Sequence, residues 1–210
     1  MSILPKAAAG TLGAGGVIGG GILVSQQLSK DNKNTLATKL QEDGFTLIGD
    51  NNTQWGDTLS KYNQVKEKAD EVFTTSTTDL TVDQLKQKCS SLLQSETYSP
   101  NEKDKASRWC TIPISVKDRI EKQGRRVLSD TDNDQGDKDV WTTLVKSHLS
   151  SEAKNKMSVN ITALNNQEVD DARINEMRKG CKTLKDKTSL DKDYLSDYSK
   201  FQDWCSVPVK

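Results

Sequence analysis

After residue 44, apolar positions recur at helical spacing in two stretches that resemble each other. Trp55, Leu59, Tyr62, Ala69 and Phe73 fall on one helical face, and Trp141, Val145 and His148 take the first three of those places in the second stretch. "TVDQLKQKCSSLLQ" sets Val82, Leu85, Cys89 and Leu92 on one stripe, opened by a capping box of Thr81 and Gln84. "INEMRKGCKTL" sets Ile174, Met177, Cys181 and Leu184 likewise. A third short helix is expected through "EKDKASRW" and again through "DYLSDYSKFQDW". After each, "TIPIS" and "SVPV" must be extended or turn-like, because Pro removes an amide donor and restricts the residue before it. "FTLIG" and "RRVLS" read as short strands or helix starts.

The same anchors come in the same order twice: a Gly-led turn, Trp, Cys, Trp-Cys, Pro. Gly44, Trp55, Cys89, Trp109-Cys110 and Pro113 correspond to Gly124, Trp141, Cys181, Trp204-Cys205 and Pro208. Gly to Trp lengthens from 11 to 17, Trp to Cys from 34 to 40, and Cys to Cys from 21 to 24. Extra length confined between anchors is what surface loops tolerate. The expected fold is therefore mainly α: two tandem copies of a small disulfide-stapled three-helix unit, with short strands. The boundaries read 44–116 and 124–210 for the copies, 117–123 for a connector, 31–43 for a polar linker, and 1–30 for an N-terminal hydrophobic segment.

That first segment changes the picture. Residues 7–29 carry no charge, and 7–24 are apolar or glycine apart from Thr11. Such a length just spans a bilayer core of roughly 30 Å. Gly15/Gly19 and Gly16/Gly20 have the small-xxx-small spacing that lets membrane helices approach closely. The leading expectation is an uncleaved Gly-rich membrane anchor; a cleaved signal peptide and a flexible Gly-rich segment are the alternatives. Lys30, Lys33 and Lys39 follow the run and Lys6 precedes it, which mildly opposes an orientation with the amino terminus inside.

The cysteines speak for export. In each copy one lies mid-helix on the apolar stripe and one follows the Trp that ends the third helix. If that helix folds back, Cys89 meets Cys110 and Cys181 meets Cys205, the one connectivity of three that preserves the unit. Disulfides need an oxidising compartment. Four reduced buried cysteines are the alternative, and a zinc site is weaker because short C-x-x-C spacing is absent. Trp55, Trp109, Trp141 and Trp204 are expected to be structural, with Trp109 and Trp204 each capping a small core.

Composition and the remaining motifs narrow the function. Hydrophobic residues make up 33% of the 210-residue chain, a thin core for which disulfide staples would compensate. Thirty basic side chains balance 30 acidic ones, leaving no electrostatic case for nucleic acid. His148 is the only histidine, lacks triad or HExxH partners, and stands where Tyr62 stands in the first copy, so it reads as a packed ring. "DTDNDQGDKD" at 130–139 holds five Asp, but Gln135 and Trp141 replace the Gly and Glu of an EF-hand loop, so it reads as a solvated loop. Asn51 and Asn160 begin glycosylation triplets. No catalytic, cofactor-binding or metal-binding residue is expected.

"PKAAAGTLGAGGVIGGG" at 5–21 and the two Trp-Cys units resemble a paralogous surface or membrane protein family of haemotropic mycoplasmas. Its members are short chains with a "KAAAG" hydrophobic segment, a polar body and recurrent Trp-Cys. The resemblance implies a surface-exposed, membrane-associated paralogue varied between copies, and it brings no catalytic residues. The expected function is a non-enzymatic, membrane-anchored extracytoplasmic protein, a surface antigen or host-interaction protein. Its expected partners are the membrane, through residues 7–24, and a host or surface protein. An exported enzyme such as a hydrolase is the alternative.

Overall fold

Thr35 places its hydroxyl to accept the Thr38 N–H at 3.4 Å, and helix α1 (Leu36–Glu42) follows from that cap. The structure is a computed structural model, and it describes residues 34–209. Leu36, Ala37 and Leu40 form one face of α1 and are fully buried. Ser115 caps a second short helix, α5 (Val116–Lys122), by accepting from Asp118 N at 3.0 Å, and Val116, Arg119 and Ile120 are buried there. Two expectations are corrected here. Residues 31–43 are not wholly a polar linker, and 117–123 is not a connector: each contains a core-facing helix. Both helices have seven residues. So few apolar positions among Thr, Lys, Glu and Gln give a weak periodic signal, and packing rather than propensity holds such short helices.

Each of these helices ends on a glycine in the left-handed region, Gly44 at φ +88° and Gly124 at φ +73°. A side chain there would be strained, so glycine is the residue that lets the chain reverse. Short extended stretches follow. Leu47 bridges Thr111 antiparallel, and β1 (Arg125–Val127) pairs antiparallel with β2 (Ser206–Pro208) in the register Arg126↔Val207. The Pro-containing segments after each Trp-Cys thus return to the strand-like segment after each glycine.

Six longer helices complete the chain. They are α2 (Gln54–Gln64), α3 (Val82–Leu93) and α4 (Pro100–Trp109), then α6 (Lys138–Leu149), α7 (Asp171–Leu184) and α8 (Tyr194–Trp204). The Thr81/Gln84 capping box is formed, and a second, Ser99/Glu102, starts α4 with Pro100 at its first position. α2 stops earlier than its apolar spacing suggests. Ala69 and Phe73 lie beyond its end, and Phe73 returns to the same face through its N–H, which donates to the Tyr62 hydroxyl at 3.1 Å. The described protein is therefore mainly helical, with eight helices, two short strands and two disulfides.

The buried residues from 36 to 205 form one continuous core. The segment 114–116 pairs with 187–189: Val116 N donates to Lys187 O at 2.9 Å, and Ser189 N to Ile114 O at 3.0 Å. Beside it, the Arg119 guanidinium lies 4.0 Å from the Phe45 ring centroid and 4.0 Å from that of Tyr198, while its Nε donates to Asp43 O at 2.9 Å. Arg119 is buried, and one of its terminal nitrogens has no hydrogen-bond partner among the described residues. The aromatic faces take that role, since a desolvated cation over a ring is stabilised by the ring's negative face. Among the described residues no helix is long and apolar enough to cross a membrane; the expected anchor at 7–24 lies outside them.

Leu40→Ala tests the first correction. Removing a fully buried Leu from α1 should cost roughly 2–5 kcal/mol in chemical denaturation. An unchanged midpoint would return residues 36–42 to the status of a linker.

Candidate functional site

The expected site residues are the four cysteines and four tryptophans, and the structure assembles them into two closures. Cys89, on the buried stripe of α3, is bonded to Cys110, with Cα atoms 5.5 Å apart. Trp109 is fully buried beside it, and its indole N–H donates to Glu71 O at 2.7 Å. The Tyr62 ring meets Trp109 edge-on at 5.1 Å. In the other half Cys181, on α7, is bonded to Cys205, with Cα atoms 5.7 Å apart. Trp204 donates to Asn155 O at 2.7 Å, and His148 meets it edge-on at 4.9 Å. The correspondence reaches single atoms. Tyr62 Oη accepts the Phe73 N–H, and His148 Nε2 accepts the Met157 N–H, both at 3.1 Å.

Trp55 and Trp141 repeat the pattern one layer away, donating to Gly49 O at 2.9 Å and Ser129 O at 3.2 Å. All four indoles are buried and all four N–H groups are used on loop carbonyls. These residues hold loops to helices and are closed to a ligand.

The charges around the closures follow from the same packing. Glu71 is buried under Trp109; burial opposes its ionisation, but hydrogen bonds from Arg108, at 2.7 Å, and Lys68 outweigh this and hold its carboxyl below the usual range. Arg108 also covers the Trp109 ring, 4.3 Å from its centroid, and donates through Nε to Leu190 O at 2.8 Å, so one guanidinium ties the first closure to the second half. Burial raises the Tyr194 hydroxyl to about 12. His148 is lowered, first by burial and then by the positive charge of Lys156.

The acidic run at 130–139 is a mostly exposed loop up to Asp137, and ion pairs anchor it. Asp130 pairs with Lys185 at 2.7 Å, Asp132 with Lys182 at 2.8 Å, and Asp137 with Arg126 at 2.9 Å. It is strapped to α7 because that helix presents Lys182 and Arg178, whose Nη2 donates to Asp134 O, and Lys185 follows as its C-cap. Among the described residues no group of three or more His, Cys, Asp or Glu side chains is arranged to hold a metal. Asn51 and Asn160 are both exposed.

Sequence reasoning missed a large concavity among the described residues. α3, the start of α4 and the connection before α3 frame a groove of about 830 Å³, with Phe73, Leu80 and Leu92 as its apolar part and Gln84, Lys88 and Lys105 among its polar part. The local signal was present: Lys88 and Gly180 differ at the same distance before the stripe cysteine. What that difference opens depends on how distant loops fold back. No family model, curated protein or solved structure matches the chain.

His148 offers a direct check on the second closure. Its folded pKa lies below its unfolded value near 6.5, so protonation favours the unfolded chain. The stabilisation is whole above about pH 6.5 and is lost as pH falls through the folded pKa. As the only histidine, its imidazole protons can be followed by NMR without assignment. A midpoint below 6.5 is expected; one at or above 6.5 would mean the ring is not buried against Met157 N–H and Trp204.

Proposed function

We propose that the protein is a non-enzymatic, membrane-anchored extracytoplasmic interaction protein, of the surface-antigen or host-interaction kind. Its body, on this reading, is two tandem copies of one stapled unit, carried outside the membrane by the hydrophobic segment at 7–24. One observation carries the proposal. Every cysteine of the chain is in a disulfide, and both bonds are buried in the core. Disulfides of this kind persist in oxidising surroundings and are rare where thiols are kept reduced. A thin, charge-rich body that relies on staples suits an exposed life better than a reducing cytosol.

The atom-level correspondence between the closures supports duplication. It also moves the start of each copy back by one helix. Leu36, Leu40 and Gly44 then match Val116, Ile120 and Gly124 at a constant offset, so each copy has four helices rather than the expected three. The lone histidine, the residue most able to move protons near neutral pH, is used to hold a backbone amide. That use favours an interaction role over the exported hydrolase.

Protease treatment of intact cells tests location. Trypsin added outside should cut the 31–210 body while cytoplasmic markers stay whole. Cleavage only after lysis would overturn the proposal.

A further inference from the structure

The two closures share their loop bonds but differ in the group that accepts the loop amide. In each half one loop carbonyl takes the tryptophan N–H, and the residue two places later donates its own amide to a ring on the preceding helix. In the first half these are Glu71 O, the Phe73 N–H and the Tyr62 hydroxyl. In the second they are Asn155 O, the Met157 N–H and His148 Nε2. A tyrosine hydroxyl goes on accepting in mild acid. An imidazole nitrogen accepts only while it is unprotonated, and an ordinary histidine takes up its proton at about pH 6.5.

His148 and Met157 are both buried, and Nε2 lies 3.1 Å from the Met157 nitrogen. A proton on Nε2 sets two donors face to face at that distance and leaves a cation in a desolvated place. Among the described residues the neighbouring charge that acts on the ring is Lys156, beside Met157, and it repels the proton too. The other charged groups on the surrounding elements are engaged or exposed. On α8, Asp203 accepts from Asn155 Nδ2 at 2.8 Å. On α6, Lys146 pairs with Glu168 at 3.4 Å. On α7, the buried Arg173 and Arg178 donate to Thr162 O and Asp134 O. Glu152 and Lys154, earlier in the loop, are exposed.

The loop that His148 holds has few other fastenings. Residues 150–170 contain no helix or strand. Met157 Sδ lies 3.8 Å from Cys205 Sγ, and Val159 rests so closely on α7 that a Cβ on Gly180 would fall 2.6 Å from its Cγ1. The next tie along the chain is Arg173, which donates to Thr162 O and Ala163 O. Losing the bond at Met157 therefore loosens the run from 155 to 161 and takes the cover from Cys205. A segment with so little structure of its own opens locally before the core does.

We propose that the His148–Met157 contact is an acid-released clasp. Protonation of His148 Nε2 frees the segment 155–161 from α7 and uncovers the Cys181–Cys205 disulfide, while the Tyr62–Phe73 clasp of the first half stays closed. The device answers to acidity wherever the protein resides.

Residue-resolved hydrogen exchange on the full chain reads both clasps at once, through the amides of Phe73 and Met157. Their protection factors are corrected for the intrinsic effect of pH, and the first half serves as the internal control. The ratio of Phe73 protection to Met157 protection should rise about threefold or more from about pH 7.5 to about pH 5. A phosphine reductant should likewise reduce Cys181–Cys205 faster relative to Cys89–Cys110 over the same interval. His148→Gln, whose side-chain oxygen accepts but does not titrate, should hold the exchange ratio constant. A flat ratio in the unaltered chain would overturn the proposal, and that measurement decides even if the variant does not fold. Equal loss of protection at both amides would overturn it as well, since the whole core would then be opening. So would a pH response that survives in a folded His148→Gln, which would make Asp203 the trigger.

Discussion

Each half of this chain is held shut by a bond from the middle of a buried helix stripe to the residue just after a buried tryptophan. Cys89–Cys110 and Cys181–Cys205 close loops of similar length, each worth about 3 kcal/mol in the chain-entropy model. In a chain with 33% hydrophobic residues that is a large part of any net stability. The covalent tie fixes where the last helix of each half can lie. Trp109 and Trp204 are then driven into the core, and each indole N–H donates to a loop carbonyl. The long connections before α3 and α7 are pinned by those bonds to Glu71 O and Asn155 O rather than by secondary structure of their own.

The halves are joined by a different kind of contact. Arg119 is buried between Phe45 and Tyr198, and Arg108 links the buried Glu71 to the backbone of Leu190. Buried Arg119 is costly without partners, and half-buried Arg108 is fixed by the buried Glu71, so these two restrict how the halves can dock. Arg119 is satisfied by ring faces and one backbone carbonyl, which needs all three to be in place at once. That geometry favours a single arrangement over a loose pair of beads.

What could be read from the sequence was local. The apolar stripes of α3 and α7, the Thr81/Gln84 cap and the two Trp-Cys pairs each lie within a few turns of chain, and all are present in the fold; the stripe from Trp55 breaks off at the end of α2. α1 and α5 were hidden because each has only two strongly apolar residues in seven and gains its stability from contacts made far away. The burial of Arg119 was hidden because Phe45, Tyr194 and Tyr198 converge from distant positions. The open groove was hidden for the same reason. The Lys88/Gly180 contrast was visible, but its meaning depends on Met157–Val159 folding back across α7.

Covalent closure within each half organises everything else, and peptide mapping by mass spectrometry without reductant addresses it directly. Protein isolated from its native host under thiol-blocking conditions should yield linked peptides Cys89–Cys110 and Cys181–Cys205, with no blocked thiol at any of the four positions. A Cys89–Cys181 link would contradict the paired closures. Four blocked thiols would contradict both the staples and the oxidising location inferred from them.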